Sequence, residues 1–208
     1  HRQVVNCIDN AVLSLHEPYA SSASEMVAEV IQYFGYEQLS SYYADAMLAG
    51  IMLDTKDFVM KTGVRTFEAA AYLKKLGADT VAVKRLFAIS IETGIKRSQL
   101  VETAEIYNRC AIAASEDSSD GIRIATSQAA DELLGIQGVD ASFVIYAAGT
   151  GANISARSFG IMNVQIIMEH LGGGGHQTMA AAQLKDISVS DAKKQLMAAI
   201  DEYIRSIS

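Results

Sequence analysis

The chain has 208 residues, half of them hydrophobic, and a formal net charge of −7. That length can bury a core as one large domain or two small ones, and the acidic surplus argues against holding long nucleic acid over a broad basic surface, though not against a small nucleotide held by a few local donors. Cys7 and Cys110 stand in no metal-type spacing and suggest no disulfide framework. No apolar run reaches membrane-spanning length, so a soluble piece with no direct membrane contact, at home in a reducing interior, is expected. The chain opens at His1 without an initiator Met, which reads as a piece excised from a longer protein, with His1 either native or left by a tag.

In chain order, Val12–Leu15 is the expected first strand, followed by a loop holding Pro18, the sole proline. Ser22-Ala23-Ser24-Glu25 has capping-box spacing, and Met26, Val27, Val30, Ile31 and Phe34 continue at helical period to Gly35. An alanine-rich helix runs from about Ser40 to Leu53 and delivers Asp54-Thr55-Lys56-Asp57-Phe58. A third helix, Thr66–Leu76, is closed by Gly77, and Asp79 or Thr80 caps a short fourth. From Glu92 to Tyr107 the pattern is helical but polar, as in a bridging helix with a domain boundary near its end.

The second half changes character. Cys110–Ser115 is a strand candidate, Ile122–Leu134 a helix, and Ala141–Ala147 and Asn153–Ser158 two strands joined through Gly149-Thr150-Gly151 as a hairpin. A helix from Asn163 to Leu171 precedes four consecutive glycines, Gly172–Gly175, and then His176. Gln177–Leu184 reads as a buried strand and Ser190–Ile207 as a closing helix. Mixed strands and helices point to an α/β or α+β layered fold.

The glycine run is costly to order. It makes sense where backbone must approach a ligand or where N–H groups converge on an anion. It is expected to be a bare-backbone loop holding phosphate, with His176 as a further donor; the plainer reading is a helix cap, a tight turn and a surface histidine. Arg157 shares a strand face with Ser155 and is suited to bidentate phosphate binding, or else to an edge-strand ion pair with an acidic neighbour. Asp54 lies where a helix dipole ends negative, so a divalent cation would compensate it; an ordinary solvated turn is the alternative. Lys56, Lys61 and Arg65 lie within reach of a phosphate. Tyr19, Tyr42 and Tyr43 are read as core residues before base-stacking ones, and His16 and His170 as structural or solvated.

These residues resemble the DHH family of phosphodiesterases, and within it the GdpP type that degrades cyclic di-AMP. The resemblance rests on His1-Arg2, Glu17–Glu25, Ala44–Ile51, Leu53–Lys56 and Lys61–Ala70 in the first part, and on Ile154–Ser158, Asn163–Gln165 and Gly172–His176 in the second. It implies an α/β fold: residues 1–107 as the helix-rich remnant of the catalytic lobe, and 108–208 as a smaller mixed-sheet domain that binds substrate. It further implies a pair of manganese ions held by an HxxxDxD group, a further aspartate, the first histidine of Asp-His-His, and an aspartate at the position of Asp54. His1 would match the second histidine of that motif, beside the metal ligand. Most of this ligand set is absent from the chain, so the fragment alone is expected to be close to inactive.

On the same resemblance, Ser155, Arg157, Asn163, Gly173, Gly174, Gly175 and His176 would hold the substrate, a cyclic or short linear dinucleotide. The parent would act in nucleotide signalling, membrane-anchored with this part on the cytoplasmic face. A soluble relative acting on short oligonucleotides or phosphoadenosine phosphate, and a nucleotide-binding module without catalysis, remain the rival readings. The alanine-rich surfaces also leave a homodimer open.

Overall fold

Helix α1 (Ala23–Phe34) begins where its cap is written. The Ser22 hydroxyl accepts the Glu25 N–H at 3.0 Å, while the Glu25 carboxylate turns back onto the hydroxyl and N–H of Ser21. The reciprocal cap thus reaches one residue beyond the expected partner and satisfies donors that a helix start leaves free. The computed structural model describes residues 10–35 and 39–207, and the chain divides into two compact units, His1–Ala88 and Ile89–Ser208.

Among the described residues the first unit is helical: α1, α2 (Ser41–Thr55), α3 (Val64–Lys75) and α4 (Thr80–Leu86). They meet around Ala28, Ala44, Leu48, Ile51, Leu73 and Val83, where each buried Leu, Ile or Val contributes about 1.5–3 kcal/mol. Small residues let α1 and α2 approach closely; a methyl on Gly50 would collide with Ser24. The Asp79 carboxylate caps α4 by accepting the Val81 N–H at 2.8 Å. Two expectations fail in this unit. Val12–Leu15 is exposed and forms no strand, because no strand among the described residues pairs with it and a lone strand leaves its backbone groups unsatisfied. Tyr19, Tyr42 and Tyr43 are also exposed, outside the core.

The second unit, the larger one, carries α5 (Ile91–Glu102), β1 (Glu105–Tyr107), β2 (Cys110–Ser115), α6 (Ile122–Leu133), β3 (Ala141–Ala148), β4 (Gly151–Ser158), α7 (Val164–His170), β5 (Gly174–His176), β6 (Met179–Leu184) and α8 (Val189–Ile207). The six-stranded sheet has the order β1-β2-β3-β4-β6-β5. Strands β2 and β3 are parallel, with α6 as their crossover, and the other pairs are antiparallel. The helix expected to run to Tyr107 stops at Glu102, and Glu105–Tyr107 instead pairs with β2. Asn108 and Arg109, both at positive φ, make the two-residue turn between β1 and β2, in keeping with hairpin turn chemistry. The compact units divide ahead of α5, whose Leu100 packs with α6 and the sheet.

Strand alternation decides the layers. One sheet face presents Ile112, Phe143, Ile145, Ile154, Ala180 and Ala182 to α7 and α8, the main core. The other presents Ala111, Ala113, Val144 and Tyr146 to α5 and α6. Helix α6 lies over β2 and β3, where Ser142 donates its hydroxyl to the Ala130 carbonyl at 2.6 Å. Further along the same face, Met179, Ala181 and Gln183 of β6 are exposed.

Candidate functional site

The open half of that face is built by register. Ser155 on β4 stands opposite Ala181, which stands opposite Gly174; Arg157 stands opposite Met179, which stands opposite His176. Period-2 geometry therefore sets Ser155, Arg157, Gly174 and His176 on one face. Between this face and α6 lies a cleft of about 350 Å³, whose walls include Ser155, Arg157, Gly174, Gly175, and Arg123 and Ser127 of α6. His176 shares the face but is exposed and is not among the residues lining the cleft, with Nδ1 3.4 Å from the Thr178 hydroxyl.

Arg157 is 9% exposed. Its Nε donates to Asp131 of α6 at 3.0 Å and its Nη1 to the Ala156 carbonyl at 2.9 Å. The ion-pair reading is realised, on an internal strand and not an edge, and Nη2 has no hydrogen bond among the described residues. A guanidinium held on one edge with donors left over is pre-organised for an oxyanion. Arg123, which the sequence reading missed, is exposed in the first turn of α6 and adds a second cation to the wall. It was invisible because only the crossover packing turns that helix face toward β4. Among the described residues the walls contain these two arginines, hydroxyls and amides, and no carboxylate, within a chain of net charge −7.

The glycine run is not a bare loop. Gly172 and Gly173 close α7, the Gly172 N–H donating to Glu169 and the Gly173 N–H to Met168, a Schellman arrangement that satisfies the last carbonyls. Gly174–His176 then forms edge strand β5. The reason is pairing: β6 supplies a ladder that the glycine backbone can approach closely. A methyl on Gly173 would collide with the Ala181 carbonyl and lie 2.7 Å from Ala182 Cα, and one on Gly175 would lie 2.5 Å from Ala180 Cα. Gly174 differs. A methyl there would meet nothing within 4 Å, and its φ is not positive. Packing thus explains Gly173 and Gly175, while the absent side chain of Gly174 leaves space in the cleft. Asn163 is not in the cleft wall: its side chain accepts the Gln165 N–H at 3.1 Å as the N-cap of α7.

In the first unit, Asp54 falls inside the last turn of α2, not beyond it, and is exposed. Lys56, Asp57 and Phe58 follow with φ of 51°, 56° and 64°. Left-handed non-glycine residues cost roughly 1–2 kcal/mol each, so the turn needs support. Buried Thr55 gives some, accepting the Phe58 N–H at 3.0 Å and donating to the Ile51 carbonyl at 2.7 Å. Phe58 also stacks on Phe67 with centroids 5.5 Å apart. Arg65, expected within reach of phosphate, is engaged with Glu29 at 2.7 and 2.6 Å. Among the described residues there is no group of three or more His, Cys, Asp or Glu that could hold a metal ion. His1 lies outside the described residues, and no described helix is long and apolar enough to cross a membrane.

Residues 110–206 match the DHHA1 domain family. The chain is 47% identical over 206 residues to the cyclic-di-AMP phosphodiesterase PdeA of Listeria monocytogenes, covering 98% of this chain and 31% of that protein. It is 44% identical over 208 residues to the cyclic-di-AMP phosphodiesterase GdpP of Bacillus subtilis, covering 98% of this chain and 32% of that protein. It therefore spans about a third of the length of the curated relatives it matches. In fold it is similar to an exopolyphosphatase-related protein from Bacteroides fragilis, with a TM-score of 0.83 at 21% identity over 96% of this chain and 62% of that one.

Proposed function

The chain belongs to the DHH/DHHA1 family in its GdpP-type branch, and from that premise we propose that it is the nucleotide-holding part of a phosphodiesterase that opens cyclic di-AMP to a linear dinucleotide. The observation that carries this reading is the cleft on the uncovered half-face: two arginines from different elements, no carboxylate in the walls, and a glycine whose missing side chain no packing contact explains. Arg157, steadied by Asp131, grips a phosphate through its remaining donors. Arg123 screens a second phosphate charge from the α6 side. Gly174 admits the sugar close to the backbone, and His176, exposed on the same sheet face, contributes a further donor.

Manganese enters as a proposal for the longer protein. A metal pair does not fit the described residues by themselves, because hard divalent ions need several oxygen ligands each and the exposed Asp54 belongs to no group of three or more such ligands among the described residues. Asp54 is proposed as one ligand of a set completed outside this chain. The left-handed turn behind it would hold that carboxylate's helix end in a defined position.

Calorimetry with linear di-adenylate tests the site. The 208-residue chain is expected to bind it and Arg157→Ala to abolish the signal; an unchanged signal overturns the assignment. With manganese present, the chain alone is expected to show close to no turnover of cyclic di-AMP. Robust turnover would refute the division of labour proposed for Asp54 and the cleft.

A further inference from the structure

The cleft has different chemistry at its two ends. Along β4 the residues facing it are Arg157, Ser155 and Asn153, and their register partners on β6 are Met179, Ala181 and Gln183. The guanidinium end and the amide end are separated by four residues of strand, about 14 Å at 3.4 Å per residue. Between them the row Ser155, Ala181 and Gly174 is small throughout, leaving room for a flat, bulky group above the sheet. Asn153 and Gln183 both belong to the cleft wall.

We propose that Asn153 and Gln183 read the base of the nucleotide whose phosphate Arg157 holds, and that they favour adenine over guanine. This rests on the nucleotide-site reading given above and goes beyond it by assigning the base-selecting groups. Asn153 is engaged from behind. Its Nδ2 donates to the Tyr146 hydroxyl at 3.0 Å, and Tyr146 is 7% exposed, packed into the second core. One amide proton is therefore committed, which leaves Oδ1 as acceptor beside one remaining N–H donor. Adenine offers the complement along one edge, the N6 amino donor beside the N7 acceptor, whereas guanine offers two acceptors, N7 and O6. In the orientation that the Nδ2–Tyr146 bond holds, guanine would set its O6 acceptor against Oδ1. Gln183 is exposed and its side-chain amide makes no hydrogen bond among the described residues. It is free to supply a second pair of contacts from the neighbouring strand. Discrimination by mismatched polar groups is stronger than by shape, because the wrong base leaves partners unpaired.

The test uses the 208-residue chain and three probes: linear di-adenylate, linear di-guanylate, and ribose 5-phosphate, which keeps phosphate and sugar but lacks a base. Titrations are followed by backbone amide chemical shifts, with a thermal melt for each variant. Wild type is expected to prefer di-adenylate by about tenfold, the low end of what one well-placed amide pair discriminates. Asn153→Ala and Gln183→Ala are each expected to shrink that preference while ribose 5-phosphate binds as before. Gln183, being exposed, supplies a variant that keeps its fold should Asn153→Ala disturb Tyr146. The proposal is overturned if wild type shows no adenine preference, if the preference survives both substitutions, or if ribose 5-phosphate binding falls in parallel. If wild type binds none of the three probes, the nucleotide-site reading itself fails, a result distinct from loss of base selectivity alone.

Discussion

Replacing the glycines of the Gly172–Gly175 run by alanine, one at a time, separates packing from ligand approach. At Gly173 the added methyl would meet the backbone of Ala181 and Ala182, the latter at 2.7 Å from Cα. Since main chain cannot swing aside as a side chain can, β5 and β6 must part, at about 1–3 kcal/mol. At Gly175 the methyl would lie 2.5 Å from both Ala180 Cα and the Met179 carbonyl oxygen, and φ is +151°; strain adds to the clash, giving about 3 kcal/mol or more. Gly172 has φ +73° and nothing near, so only the left-handed penalty of about 1–2 kcal/mol applies. Gly174 has neither clash nor positive φ, and its alanine variant is expected within about 0.5 kcal/mol of wild type. Urea unfolding followed by circular dichroism reads the stabilities, and titration with linear di-adenylate reads the cleft. Gly174→Ala is expected to keep its stability and lose affinity by about tenfold or more, the inverse of a packing variant. If Gly174→Ala unfolds as readily as Gly173→Ala, the account of which glycine faces the cleft is wrong. If it preserves both stability and affinity, the glycine there has nothing to do with a ligand.

Two further outcomes follow from the ionisable groups of the second unit. Arg109 hydrogen-bonds the Asp140 carboxylate and holds its pKa below the ordinary 3.8. The unfolded chain therefore binds that proton first, so the pair's stabilisation is present above pH 3.8 and lost as pH falls through the folded-state value. Asp140→Asn should flatten the acid end of the stability curve relative to wild type, and identical acid titrations would contradict this. Burial, and secondarily the charge of Asp140, pushes the Cys110 thiol up to about 12. Mass spectrometry of the Cys110 peptide should show slow alkylation by iodoacetamide at pH 8 in the native protein and fast alkylation in urea; rapid native labelling would show that the strand opens.

Much of the fold was legible because its signals are local. Ser22 with Glu25, Asp79 and Gly35 set helix ends within one turn, and the Gly149-Thr150 link between two apolar strands predicts the β3–β4 hairpin that the register confirms. Cys110–Ser115 appears with the bounds expected for it. The misreadings are cases where a partner distant in sequence decides. Glu105–Tyr107 could continue a helix by pattern, but β2 offers it a ladder. Val12–Leu15 has strand composition and no partner among the described residues. The Asn163 side chain, by contrast, is engaged locally, accepting the Gln165 N–H as the N-cap of its own helix.

By itself the chain of residues determined most of the helical and extended segments, which side of the longer strands is apolar, and that Ser155 and Arg157 share a face, because these depend on backbone preference and on periods of 2 and 3.6. Only the tertiary structure decided that α6 covers part of that face and leaves the rest open, that Gly174–His176 becomes the edge strand, and that Arg123 and Gln183 join Arg157 around one cleft. Strand order and helix placement are fixed by burial shared between residues far apart in the chain, and no local pattern carries that information.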